Sequence, residues 1–194
     1  MLALVRHGET RDNREGRLLG RSDPPLTALG RVQVRAVAAA LAREAPVAIV
    51  SSPLRRAVQT ATMIGDACGV APTVDRRLIE IDYGSWERRT LAEVPRDAAA
   101  VSSDPSAPFP EGESISDVAR RVVPLCEELL ARRDGLVVAV SHVTPIKAAV
   151  AWAIGVGDEV AWRMHLSLGS VSRIGARREG PFLHTFNEQY YRPR

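Results

Sequence analysis

The chain is poor in aromatic side chains and in cysteine. Phe, Trp and Tyr together make up 5% of its 194 residues, too few to interleave with basic side chains as a stacking surface for nucleic acid requires. The arginines are spread along the chain, and a formal net charge of +3 suits one local pocket for a small anion as well as it suits a polyanion. No nucleic-acid partner is expected. Cys68 and Cys126 stand far apart, with no Cys or His at metal-ligand spacing, so they read as core thiols. Long apolar runs are also lacking. The longest, Ala148 to Gly157, is too short to span a bilayer, and the N-terminal run reaches Arg6 too soon for a signal peptide. These absences predict a cytoplasmic protein with no membrane partner. Internal repeats and linkers are missing too, so residues 1–194 read as a single domain long enough to bury a substantial core.

What the chain does have is a recurring junction. Leu2-Ala3-Leu4-Val5 runs into Arg6-His7-Gly8-Glu9-Thr10, Val47 to Val50 into Ser51-Ser52-Pro53-Leu54-Arg55-Arg56, and Leu136 to Val140 into Ser141-His142-Val143-Thr144-Pro145. Each is a short apolar strand cut off by polar functional residues. Helical spacing and start signals predict helices from Thr27 to about Glu44, Pro53 to about Cys68, Ser114 to about Arg133 and Pro145 to about Ile154. Pro124 is expected to kink or break the third of these. Arg11 to Pro25 reads as a polar loop, and Pro72 to Val74 as a short extended piece. Ser102 to Glu113, with three prolines, reads as a loop and a candidate lid. Ser170 to Ile174 and Phe182 to Phe186 read as a closing hairpin.

Strands alternating with helices predict an α/β fold whose mainly parallel central sheet has helices on both faces. The carboxyl ends of such strands share one edge, where ligands bind. His7 and His142 should therefore face one cleft with Arg6 and Arg55. Arg55 falls at a predicted helix start, where free N–H groups favour an anion, although one of Arg55 and Arg56 must face solvent. Glu80, between Ile79 and Ile81, lies either on the solvent side of a strand or in a partly apolar site held for chemistry. A metal site would want more carboxylate or cysteine and no arginines, and an acyl-transfer triad would want a glycine-flanked nucleophile elbow. A phosphate site fits best: arginines and helix N-termini oppose its charge, and a histidine can attack phosphorus. His165 and His184 read as structural, and Tyr83, Trp86 and Phe109 as core.

Arg6-His7-Gly8-Glu9-Thr10 with Asn13, Leu54-Arg55-Arg56-Ala57-Val58-Gln59-Thr60, Glu80 with Gly84 and Trp86, Gly112-Glu113-Ser114, and Ser141-His142 come in an order that resembles the histidine phosphatase superfamily, which includes the phosphoglycerate mutases. The resemblance covers nearly the whole chain. It implies a mixed, mainly parallel, phosphoglycerate mutase-like sheet and a phosphohistidine intermediate, with no cofactor and no metal. By the same resemblance His7 matches the nucleophile, Glu80 the proton donor, and Arg6, Arg55 and His142 the phosphate-binding residues, with Asn13 at a position that often touches phosphate. Those roles require His7 to keep one ring nitrogen unprotonated, its other N–H fixed by a carbonyl. They require a protonated His142, and a Glu80 that starts protonated, which the apolar Ile79 and Ile81 would favour.

Mutases of the group tend to carry serine and tryptophan where this chain has Thr10 and Asp12, and Gly-Asn where it has Val143-Thr144. Their chains are also longer. These differences imply a phosphatase acting on a small phosphorylated substrate, such as α-ribazole phosphate or a sugar or glycerate phosphate. The His142-Val143-Thr144-Pro145-Ile146-Lys147 ending is similar to the acid phosphatase and α-ribazole phosphatase branch, and Val143 is expected to re-aim the backbone donor beside the phosphate. A phosphoglycerate mutase-type transferase and a non-catalytic phosphate-binding member remain the alternatives, and self-association is left open.

Overall fold

A computed structural model describes residues 1–94, 104–132 and 134–192. Six strands form one sheet in the order β3-β2-β4-β1-β5-β6: β1 Leu2–Arg6, β2 Ala48–Ser51, β3 Thr73–Val74, β4 Val137–Ser141, β5 Ser170–Arg177 and β6 Gly180–Gln189. β1 to β4 are mutually parallel, and the β5–β6 hairpin adds antiparallel to β1. The sheet is thus mixed and mainly parallel, with helices on both faces, as the sequence implied.

Both faces are covered, and the strands show why. Leu2, Leu4, Val137 and Ala139 point into one apolar cluster, whereas Ala3, Val5, Val138 and Val140 point into another. Period-two alternation with apolar residues at both parities is what a strand buried on both sides requires. The second cluster is closed by α2 (Ala28–Ala42, capped by Thr27) and α3 (Arg55–Cys68), through Val34, Val37, Leu41, Ala57, Ala61 and Ile64. The first is closed by α4 (Ile115–Ala131, capped by Ser114) and α5 (Val143–Ile154). A side chain such as Leu4 or Ile64, removed from water here, contributes about 1.5–3 kcal/mol.

Several local expectations are corrected. The Arg11 to Pro25 loop opens with a short helix, α1 (Arg11–Arg14), held by a capping box between Thr10 and Asn13. α3 starts at Arg55 with Leu54 as its N-cap, two residues later than Pro53 suggested. α5 starts at Val143, two residues before Pro145, because a proline in a helix's first turn removes an N–H that has no helical partner anyway. Pro124 does not break α4. Both Pro124 and Arg120, whose carbonyl loses its helical partner there, lie at the surface, where water can replace the lost bond. Of the predicted lid, Ser102 and Ser103 lie outside the described residues, as does Arg133 at the predicted end of α4. Within the rest of the lid segment, Phe109 is buried against Tyr83 and Trp86, and the Glu113 N–H donates to the Asp82 carbonyl.

Candidate active site

The tips of β1, β2 and β4 lie side by side at their carboxyl ends, and the chain leaving each carries the polar residues. The backbone N–H of His7 continues the β1–β4 ladder by donating to the Ser141 carbonyl at 3.1 Å. Gly8 then passes so close to the start of α2 that a Cβ would stand 2.4 Å from the Gly30 carbonyl oxygen. Only glycine fits, and the tight passage holds the buried His7 ring against the sheet edge. His7 Nδ1 lies 2.7 Å from the Gly8 carbonyl oxygen, to which it can only donate. Nε2 is therefore the nitrogen that carries a lone pair.

That lone pair faces Arg56. The Arg56 Nε–H lies 3.2 Å from His7 Nε2 and 3.2 Å from His142 Nδ1, so a single N–H is shared between two imidazoles. The rest of the guanidinium is clamped by carbonyls: Nη1 donates to Ser22 at 2.7 Å and Nη2 to Gly20 at 2.8 Å. His142 Nδ1 accepts from an arginine, so its proton sits on Nε2, which donates to Ser52 Oγ at 2.7 Å. The two rings lie 5.1 Å apart between centroids. Burial, then Arg56, holds both histidines well below the usual imidazole range. His142 is thus neutral here, not the imidazolium the sequence suggested.

Arg6, at the end of β1, donates through Nη1 to the Leu166 carbonyl, while its buried Nε has no partner among the described residues. Burial, opposed by nearby Glu80, lowers its pKa to about 10, so it stays charged at neutral pH. Glu80 is 3% exposed and lies in an extended loop, not on a strand. Its carboxylate does not sit among bare apolar side chains as Ile79 and Ile81 suggested. It accepts the N–H of Ile81 at 2.8 Å and, at the start of α5, those of Val143 at 3.0 Å and Thr144 at 3.2 Å. A carboxylate at the positive end of a helix is an electrostatically matched pair.

Arg6, His7, Glu80 and His142 are thus brought together, and Arg55 is not. Arg55 is exposed, and its side chain has no hydrogen-bond partner among the described residues; its backbone N–H donates to the Asp23 carboxylate. The buried arginine of the pair is Arg56, 0% exposed, and helix phase explains it. At about 100° per residue, Arg55 lies diametrically across α3 from the core residue Ile64, while Arg56 lies within about a quarter-turn of it. The Ala57, Ala61, Ile64 stripe carried that signal in the sequence. Val143 is also corrected as a phosphate donor, since its N–H is taken by Glu80 Oε2. Asn13 Oδ1 accepts from the Thr10 N–H at 3.1 Å and hydroxyl at 2.9 Å, which leaves only its amide N–H groups for another partner. Ser52, which fixes the His142 tautomer, was not singled out. Among the described residues no group of three His, Cys, Asp or Glu is placed to hold a metal ion.

The profile of the histidine phosphatase superfamily (branch 1) matches residues 2–189. The bifunctional protein Rv2228c of Mycobacterium tuberculosis is 41% identical over 177 residues, 88% of this chain, and the match spans only 49% of that relative's length. A glucosyl-3-phosphoglycerate phosphatase of Mycolicibacterium vanbaalenii is 40% identical over 89% of this chain and 82% of its own. The structure of a mycobacterial glucosyl-3-phosphoglycerate phosphatase complexed with VO3 superposes with a TM-score of 0.88 at 33% identity, covering 97% of this chain and 98% of that one.

Proposed function

The chain belongs to the histidine phosphatase superfamily, and from that premise we propose that it is a phosphomonoester hydrolase working through a phosphohistidine on a small phosphorylated metabolite. The observation that carries this reading is the state of His7. Its Nδ1–H is tied to the Gly8 carbonyl at 2.7 Å, and its unprotonated Nε2 is turned toward a buried arginine. A nucleophile held unprotonated beside fixed cations is what attack on a phosphate monoester needs.

The steps balance as follows. The Nε2 lone pair forms the N–P bond while the ester P–O bond breaks, and the leaving oxygen takes a proton from Glu80, whose carboxylate has first taken it from the bound phosphate monoanion. Water then attacks phosphorus and gives its proton to Glu80, the N–P bond breaks, and inorganic phosphate leaves. Charge on the transferring oxygens is held by Arg6, whose buried Nε lacks an acceptor among the described residues, and by Arg56 in the role first assigned to Arg55. A phosphoryl dianion against His142 favours its imidazolium and makes it a further donor. Asn13 contributes an amide donor at the rim.

Relatives named for glucosyl-3-phosphoglycerate and for α-ribazole-5'-P support a phosphorylated metabolite as the substrate. A relative named probable phosphoglycerate mutase GpmB, 35% identical over 188 residues, keeps transfer back to a substrate hydroxyl as the second reading. We place the protein in the cytoplasm, since its two cysteines are both free. The test is turnover of p-nitrophenyl phosphate with chelator present. Wild type is expected to release nitrophenol and inorganic phosphate and to yield an acid-labile phosphoprotein on quenching, and His7→Ala is expected to lose both. Substantial turnover by His7→Ala would assign a different nucleophile.

A further inference from the structure

Arg56 is buried with no carboxylate against it. Among the described residues its guanidinium bonds to two imidazoles and to the carbonyls of Leu19, Gly20 and Ser22. A buried cation without a direct partner is costly, so its counter-charge has to reach it by another route. Burial lowers its pKa, and Glu80, Asp23, Glu87 and Asp12 oppose that loss. Three of these carboxylates are bound elsewhere. Glu80 accepts the N–H groups of Ile81, Val143 and Thr144, Asp23 accepts that of Arg55, and Asp12 pairs with Arg88. Glu87 is bound to the peptides that clamp Arg56.

Glu87 follows Trp86, whose side chain is buried in the apolar cluster closed by α4 and α5. The Leu18 N–H donates to the Arg89 carbonyl and the Arg88 N–H to the Leu18 carbonyl, both at 2.8 Å, so the two segments run side by side. That register sets the Glu87 carboxylate against residues 20 to 22. It accepts the N–H groups of Gly20 at 3.1 Å, Arg21 at 3.3 Å and Ser22 at 3.0 Å. Three successive N–H groups make an anion-binding concavity, and this side chain fills it. A Cβ at position 20 would stand 2.7 Å from Glu87 Oε2 and 2.5 Å from the Ile81 carbonyl oxygen, so glycine is what permits the approach. The peptide units Leu19–Gly20 and Gly20–Arg21 then lie between opposite charges. Their N–H ends meet Glu87, and their C=O ends meet Arg56 Nη2 at 3.4 and 2.8 Å. Each peptide dipole is favourably aligned at both ends, and hydrogen bonds in such a chain strengthen one another.

We propose that Glu87 is a positioning residue: through the backbone of residues 19 to 22 it holds Arg56 where one N–H reaches both His7 and His142. This rests on the phosphatase reading, and specifically on Arg56 as a holder of the transferring oxygens. Glutamine at position 87 would present an amide NH2 to three donors and keep one acceptor oxygen, so the loop and Arg56 would shift together. A misplacement of about 1 Å in a positioned group costs about 10²-fold in rate. Arg56 acts on the phosphoryl group in flight, so the loss falls on kcat more than on KM and is alike for every leaving group.

The experiment is a double-mutant cycle of Glu87→Gln and Arg56→Met, with kcat read at a temperature where circular dichroism shows each variant folded. In the wild-type background Glu87→Gln is expected to lower kcat by about 10- to 100-fold, on p-nitrophenyl phosphate and on ethyl phosphate alike. In the Arg56→Met background the same change is expected to cost about twofold or less on p-nitrophenyl phosphate, because the group it orients is gone. Equal fold-losses in the two backgrounds, or a wild-type kcat in Glu87→Gln, would make Glu87 a purely structural residue and overturn the proposal. A loss confined to ethyl phosphate would move the effect to Glu80 and overturn it as well. A second measurement needs no variant to fold. In wild type the Gly20, Arg21 and Ser22 amides, although in a loop, are expected to exchange with deuterium at least about 10²-fold more slowly than in an unstructured peptide. Exchange at the peptide rate would show that the clamp does not form. Wild type that turns over neither ester would remove the phosphatase reading and this inference with it, whereas the other outcomes leave that reading standing.

Discussion

Replacing each arginine of the Arg55-Arg56 pair by methionine separates helix phase from sequence position. Arg56→Met strips the Ser22 and Gly20 carbonyls of donors at 2.7 and 2.8 Å and removes the N–H shared by the two histidines. Each buried acceptor left without a partner costs about 1–3 kcal/mol. The desolvation of the guanidinium is relieved at the same time, so the net loss is expected near the lower end, about 2–4 kcal/mol. For a chain of this size that is a fall in Tm of roughly 4–16 °C. Loss of one preorganised donor from the phosphoryl site is expected to lower kcat by about 10²–10³. Arg55→Met changes a surface side chain, and its stability should stay within about 0.5 kcal/mol of wild type. The assays are urea denaturation, p-nitrophenyl phosphate turnover and histidine proton NMR. In Arg56→Met both imidazoles should titrate at higher pH than in wild type, because a positive charge that lowers them is gone. A greater loss of activity in Arg55→Met than in Arg56→Met would refute the placement of both side chains.

Stability should also depend on pH through the two buried histidines. Their folded pKa values are depressed while the unfolded chain titrates near 6.5, so the unfolded state binds more protons as pH falls below about 6.5. Stability is then lost at up to about 2.7 kcal/mol per pH unit. Urea midpoints that stay level from pH 7.5 to 5.5 would contradict the neutral pair. Gly8→Ala puts a Cβ 2.4 Å from the Gly30 oxygen and 2.9 Å from Val34 Cγ2. It should destabilise by about 1–3 kcal/mol and shift His7, so a variant with wild-type Tm and kcat would show that the close approach is not needed. Glu80→Gln should slow alkyl phosphates by about 10²–10⁴ and p-nitrophenyl phosphate far less, because nitrophenolate leaves without a proton. Equal slowing of both would remove its acid role.

The sequence by itself determined the main strands and the four longer helices, and their order. Alternation and helical spacing are local properties, and they put Arg6, His7 and His142 at strand ends, where the parallel topology gathers them. Thr27 and Ser114 were legible as helix starts for the same reason. Tertiary structure decided how those residues meet. Whether Arg55 or Arg56 turns inward depends on where α3 starts and which stripe packs on the sheet. The surroundings of Glu80 depend on the N-terminus of a helix more than sixty residues away, whose N–H groups no local pattern could assign to it. The charge of His142 follows from Arg56 and Ser52, which reach it only once β2 and β4 are paired. Spacing reports which face of its own element a side chain takes, but hydrogen bonds and charge are set by neighbours in space, and those neighbours come from distant parts of the chain.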